Sequence, residues 1–127
     1  MTKFTIESWQ ESDICKESMN ETTIRSATIK KHYIGVLQGN SITHYSLCYL
    51  PDGSAVFTGI EVFTGEYNNC NGQFALSHEG KFEKGEAKGS LTVVAGSGIG
   101  QLKTISGYAH FCAGEQSEHE LHTSFTL

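Results

Sequence analysis

The sequence predicts an all-β domain, most simply a closed antiparallel barrel of roughly eight strands. Three observations predict it. Apolar and polar residues alternate with period two along most of the chain. Turn signals recur about every ten to fourteen residues, and no long helical pattern separates them. Glycines fall inside strand-like runs, where they mark bulges and the bends that barrels need. A barrel is preferred to a sandwich because tight hairpins join consecutive strands and closure leaves no sheet edge exposed.

The elements follow in order. Phe4–Glu7 opens as a strand. Glu11–Glu21 is polar and reads as a loop with a short helical turn. Ile24–Val36 reads as a long strand with Ile29, Tyr33 and Ile34 as apolar members, and Leu37–Asn40 as its hairpin turn. Ile42–Leu50 is a strand ended by Pro51-Asp52-Gly53, a strong turn signal. Ala55–Tyr67 is the next strand, Asn68–Gly72 a turn, and Gln73–Phe82 a strand. Glu83-Lys84-Gly85 turns into Ala87–Ala95. Gly96–Gly100 is a loop, expected to be flexible and at a barrel mouth. Leu102–Ile105 is a short segment, and Gly107–Cys112 and His119–Leu127 are the last strands.

One domain of 127 residues accounts for the chain. Its 38% hydrophobic and 18% charged content fits a chain that is neither disordered nor membranous. No apolar run approaches the roughly 20 residues of a membrane span, and the N-terminus lacks a signal-peptide apolar region. A cytoplasmic location is expected. Nine basic residues stand against fourteen acidic ones, for a net charge of −5. That balance opposes a nucleic-acid partner, which needs a positive field. The one short basic cluster is Lys30-Lys31-His32.

Cys15, Cys48, Cys70 and Cys112 are too dispersed for a zinc or thioredoxin-type motif. Four reduced thiols are expected. Asn20-Glu21-Thr22 matches a glycosylation acceptor by accident if the chain is not secreted.

Parity nominates a site. Residues two apart share a strand face. Tyr45, Leu47 and Tyr49 share one face, as do Phe57, Gly59, Glu61 and Phe63, and then Phe74, Leu76, His78 and Phe82. If these apolar faces point inward, Glu61 and His78 meet in one apolar space with Tyr45 nearby. A charge inside a barrel costs several kcal/mol unless it is paired. A Glu–His–Tyr cluster supplies the pairing and is equipped for proton chemistry. Glu61 and His78 are therefore the acid/base or orienting candidates, with Tyr45 as hydrogen-bond donor. Phe57, Phe63, Phe74 and Leu76 are expected to form cavity walls. Tyr33, Trp9 and Phe111 are core or rim aromatics, with Tyr33 and Trp9 as further expected ligand contacts, and Ser97 is placed to touch a ligand. The same pattern also fits a satisfied core network without chemistry.

Two sharper-looking signals dissolve. Gly96–Gly100 has its third glycine one residue early for a dinucleotide fingerprint, and no helix follows. Glu118–His122 spaces its histidines three apart, which on a strand puts them on opposite faces. Both are expected to be solvated or at an edge. No metal site and no cofactor are expected.

Gly59–Gly65 (GIEVFTG), Gly72–Gly80 (GQFALSHEG) and Val93–Leu102 (VVAGSGIGQL) with Ser106-Gly107 together resemble the DUF3224 family of small bacterial proteins of unknown function. Ser8–Glu11 (SWQE) and Tyr33–Gly35 (YIG) fit the same pattern. The resemblance covers nearly the whole chain. In the family the glycine-rich segment commonly reads Gly-Ser-Gly-Thr-Gly, and Ile99 here replaces the threonine. That family resembles the lipocalin-shaped allene oxide cyclase barrels. The resemblance implies a roughly eight-stranded barrel with a central cavity, often dimeric. The plant cyclases bind an oxidised fatty acid and steer its ring closure. Glu61 and His78 match recurrent polar positions of the family.

Two functions follow as expectations. The first is a barrel that binds a small hydrophobic ligand, with isomerase- or cyclase-like chemistry. The second is a side-chain-filled barrel acting through homodimerisation, using outward residues such as Ile60 and Val62. A cavity at Glu61 favours the first and a solid core the second. No nucleic acid or membrane partner is expected.

Overall fold

A computed structural model describes residues 1–13 and 22–127. Its strands are β1 (Thr2–Asp13), β2 (Thr23–Gly35), β3 (Leu37–Tyr49), β4 (Ala55–Tyr67), β5 (Cys70–Glu83), β6 (Glu86–Val93), β7 (Ile99–Gly100), β8 (Ser106–Ala113) and β9 (Glu118–Thr126). Each strand pairs antiparallel with its neighbours in the order β4-β3-β2-β1-β9-β8-β6-β5, and β4 pairs with β5 to close the ring. The result is an eight-stranded barrel, to which β7 adds a two-residue rung at the end of β5. Among the described residues no helix is long and apolar enough to cross a membrane.

Most predicted strands stand, with corrections at their ends. β1 continues through Asp13, where a loop was expected. Its polar residues are paired across to β2, including Ser12 with Ser26 at 3.0 Å. The rest of that expected loop, Cys15 and the Asn20 acceptor match lie outside the described residues. Leu37–Asn40 is not a turn but the start of β3, and the chain reverses at Gly35-Val36. Gly39 is a strand glycine, set opposite Gly65 under the Phe63 ring. The turn expected over Asn68–Gly72 is only Asn68-Asn69. Both residues have positive φ, 50° and 68°, which suits the twist of a two-residue hairpin.

The two ends of the barrel differ. At the closed end the segment between β6 and β8 folds inward, and its Leu102 and Ile105 are buried as a plug. The glycine-rich loop belongs to this closed end, not to a mouth. Ser97 Oγ donates to the Val94 carbonyl at 2.6 Å and accepts from the Ala75 amide at 3.0 Å. Aromatic rings fill the barrel above the plug. Phe63, Phe74 and Phe125 pack in sequence, tilted and then edge-on, at 5.4 and 5.7 Å between centroids.

Toward the other end the inward rungs thin out. One rung reads Phe57–Gly80–Gly89–Phe111 across β4, β5, β6 and β8. The next reads Ala55–Phe82–Ala87–Ala113. Small residues there leave the barrel open. In the first rung the two rings lie over the two glycines. A β-carbon at Gly80 would come within 2.4 Å of the Phe57 ring and 2.2 Å of the Lys88 carbonyl oxygen.

Gly80→Ala is therefore expected to destabilise the fold by about 1–3 kcal/mol through overpacking. Gly114→Ala meets only the flexible end of Gln116 and is expected to stay within about 0.5 kcal/mol of the parent. Urea unfolding of the two variants measures the difference.

Candidate functional site

Glu61 sits fully buried at mid-height of the barrel on β4. Its carboxylate gathers donors from three neighbouring strands. Tyr33 Oη donates to Oε2 at 2.6 Å and Ser41 Oγ to the same oxygen at 2.5 Å. His78 Nε2 lies 2.6 Å from Oε1, and Lys31 Nζ lies 3.4 Å from it. Tyr33 and Lys31 come from β2, Ser41 from β3 and His78 from β5. Inward parity on each strand delivers them to one level.

Burial works against the charge on Glu61. The Lys31 ammonium, the hydrogen bond and proximity of His78, and the bond from Ser41 outweigh it and hold the carboxyl well below its ordinary range. His78 is also lowered, chiefly by burial and further by Lys31, although Glu61 pulls the other way. The imidazole is thus neutral near pH 7. A carboxylate only accepts, so Nε2 carries the proton. Nδ1 is then bare, and Tyr45 Oη donates to it at 2.8 Å. The relay reads Tyr45 to His78 to Glu61.

Above this network lies a cavity of about 200 Å³ that opens at the barrel end. Phe4, Ile29, Leu47, Phe57 and Phe111 form its walls, and Lys31 and Tyr45 are at its inner end. The rim carries a second polar cluster. Glu11 accepts from Arg25 Nε at 2.7 Å, Trp9 Nε1 at 2.8 Å and Tyr49 Oη at 3.0 Å. Arg25 also pairs with Asp13. Partial burial opposes the Glu11 charge, but these donors hold its pKa below the ordinary value.

A β-bulge between Ile6 and Ser8 makes that rim. Ile6 lies opposite Lys31, and Trp9 lies opposite Ile29. Without the bulge, residues 6 and 9 would face opposite ways. With it, both line the cavity.

The sequence-nominated residues divide into three groups. Glu61, His78 and Tyr45 come together as parity requires. Trp9 and Phe57 line the cavity with Tyr45. Phe63, Phe74 and Leu76 do not form cavity walls. They fill the closed half, each at most 1% exposed, because the plug segment packs the barrel beneath Glu61. Tyr33 is a donor to Glu61 rather than a wall. Ser97 is at the far end, its hydroxyl committed to backbone. His119 departs from the solvated or edge position expected for it. It is buried against Phe4, with ring centroids 5.2 Å apart, while His122 faces outward and stacks on His110. Among the described residues no group of His, Cys, Asp or Glu forms a metal-ligating cluster.

Lys31 and Ser41 escaped sequence reasoning. Lys31 reads as part of a basic surface cluster, yet it lies two residues from both Ile29 and Tyr33. Strict alternation sends Lys30 and His32 out and Lys31 in. Ser41 shares the face of Tyr45 but falls where a turn was expected to end.

The family model of DUF3224, described as a protein of unknown function, matches residues 1–125. The chain belongs to the DUF3224 family. A crystal structure of a DUF3224 protein of unknown function from Shewanella oneidensis MR-1 shares the fold, with a TM-score of 0.86 and 23% sequence identity. The similarity covers 100% of this chain and 95% of that one. No curated protein matches the sequence. The DUF3224 assignment thus carries the barrel but no activity.

Both buried groups make the fold acid-sensitive. Glu61 titrates in the fold below its ordinary 4.5, so its contribution is present above that pH and is lost as acid protonates it. His78 titrates below its ordinary 6.5, so below that pH the unfolded chain takes up the proton first and stability falls. His119, lowered by burial and by Lys31, acts in the same direction. Urea midpoints are expected to fall from pH 7 to pH 5 and again below 4.5. His78→Gln is expected to flatten the upper fall, while the lower one persists through Lys31 and Ser41 but is reduced by the loss of the imidazole.

Proposed function

We propose that this DUF3224 chain binds a small, mostly apolar molecule in the open half of its barrel. The observation that carries this reading is the cavity itself, walled by apolar side chains and ended by Lys31 and Tyr45. An apolar cavity of about 150 Å³ accepts benzene, and drug-sized ligands need about 300 Å³ or more. At about 200 Å³ the space suits a single ring or a short chain, roughly six to ten heavy atoms. A longer molecule must extend past the rim.

The site is better suited to holding a ligand than to isomerase- or cyclase-like turnover. Burial, and then the Glu61 charge, push the Tyr45 hydroxyl far above its ordinary range, so it stays protonated. A hydroxyl held this way orients a ligand better than it abstracts a proton. His78 and Glu61 lie behind it and do not line the cavity.

Trp9 is the only tryptophan and stands on the rim, which makes it a built-in reporter. Titration with toluene and 1-hexanol is expected to change its fluorescence saturably and to raise the Tm. Ala55→Phe, which fills the inner rung at the mouth, is expected to weaken both effects at least tenfold. Linear, unsaturable responses that are identical in the variant would overturn the binding reading.

A second reading, association of two copies, rests on the outer face of β3 and β4. Ile42 is paired with Val62, Ile60 is one rung away, and all three are at least 40% exposed. A dimer through this strip is expected to dissociate in Val62→Lys, as read by sedimentation equilibrium. A monomeric parent at tens of micromolar excludes it.

A further inference from the structure

We infer that Lys31 is the anchor for a carboxylate, so that the ligand class of this cavity is the compact hydrophobic monocarboxylic acid. The inference deepens the binding reading above and rests on it.

Lys31 reaches the inner end of the cavity from β2, and its residue is only 3% exposed. An ammonium has three donors. Among the described residues its one hydrogen-bond acceptor is Glu61 Oε1, at 3.4 Å. That is long beside the roughly 2.7–2.9 Å of a charge-assisted bond. Glu61 has less need of it, because Tyr33, Ser41 and His78 already bond the carboxylate at 2.5–2.6 Å. The short bonds go to neutral donors, and the cation is held at a distance.

Elsewhere Lys31 faces rings. Nζ lies 5.0 Å from the Phe4 centroid, 5.7 Å from Phe111 and 6.0 Å from Tyr45. Aromatic faces stabilise a cation without using its N–H groups. The ammonium is thus kept inside the barrel with hydrogen-bonding capacity in reserve, at the edge of a space otherwise lined by hydrocarbon.

The complement of that surface is an apolar body ending in an acceptor of charge −1. A neutral carbonyl or hydroxyl would gain less from the cation. A dianion such as a phosphate monoester would bring a second charge toward Glu61, whose own charge lies just behind Lys31. The head therefore goes inward to Lys31 and the hydrocarbon lies against Leu47, Phe57 and Phe111. Chains longer than the cavity leave past Trp9, so affinity is expected to rise with length and then level off.

The test is calorimetric titration of the intact chain at pH 7 with hexanoate, octanoate and benzoate, each against its alcohol. The acids are expected to bind at least tenfold more tightly. Lys31→Met, checked for the parent circular dichroism spectrum, is expected to remove that preference while keeping alcohol binding. Equal affinity of acid and alcohol in the parent overturns the Lys31 assignment and leaves the cavity reading intact, and this arm stands even if the variant does not fold. A folded variant that loses acids and alcohols alike also overturns it, since Lys31 would then shape the cavity rather than hold a head group. If neither class binds the parent, the binding reading fails along with the inference.

Discussion

The interior of this barrel is organised around one buried carboxylate. Glu61 has no water-facing surface, and an unpaired charge there would cost several kcal/mol. Tyr33, Lys31, Ser41 and His78 meet that cost together from three strands. A one-residue slip of β2, β3 or β5 would turn its donors outward and strand the charge. The network thus fixes the relative register of four consecutive strands, β2 to β5, beyond what interchangeable apolar contacts specify. Breaking a buried pair of this kind is costly even where its net worth over a hydrophobic replacement is small.

The same network divides the barrel in two. On one side aromatic rings and the Leu102–Ile105 plug fill the space, as small barrels usually do. On the other, each rung sets phenylalanine beside glycines or alanines, so that bulky side chains do not fill it from every strand. The open half therefore results from side-chain size rather than from a wider sheet. The packing is incomplete on that side, and the charged level beneath supplies the polarity that an all-apolar hollow would lack.

Much of the fold was readable in the sequence because strand parity and turn chemistry are local. Ala55–Tyr67 is recovered to the residue, and the Glu61–His78–Tyr45 meeting follows from counting in twos. What was not readable depends on partners distant in sequence. Gly39 resembles a turn residue until Gly65 is known to lie opposite it. Phe63, Phe74 and Leu76 have the same parity as Phe57, and only the inward fold of the β6–β8 segment decides which of them border open space. Lys31 was misread for another reason: a lysine beside a lysine and a histidine looks like surface, whereas alternation treats each of the three independently.

The bulge in β1 has a consequence for how this chain can vary. Residues 4 and 6 face inward by one parity, and residues 9 and 11 by the opposite one, with Glu7 as the uncounted position between them. The tryptophan and the rim carboxylate are inside the mouth only because of that extra residue, and without it Arg25, which faces in on β2, would lose the Glu11 carboxylate. Removing a single amino acid there would leave the hydrophobic walls below the rim intact, yet evert the entrance. Relatives of this protein that keep the barrel but lack the insertion should accordingly present a bare doorway.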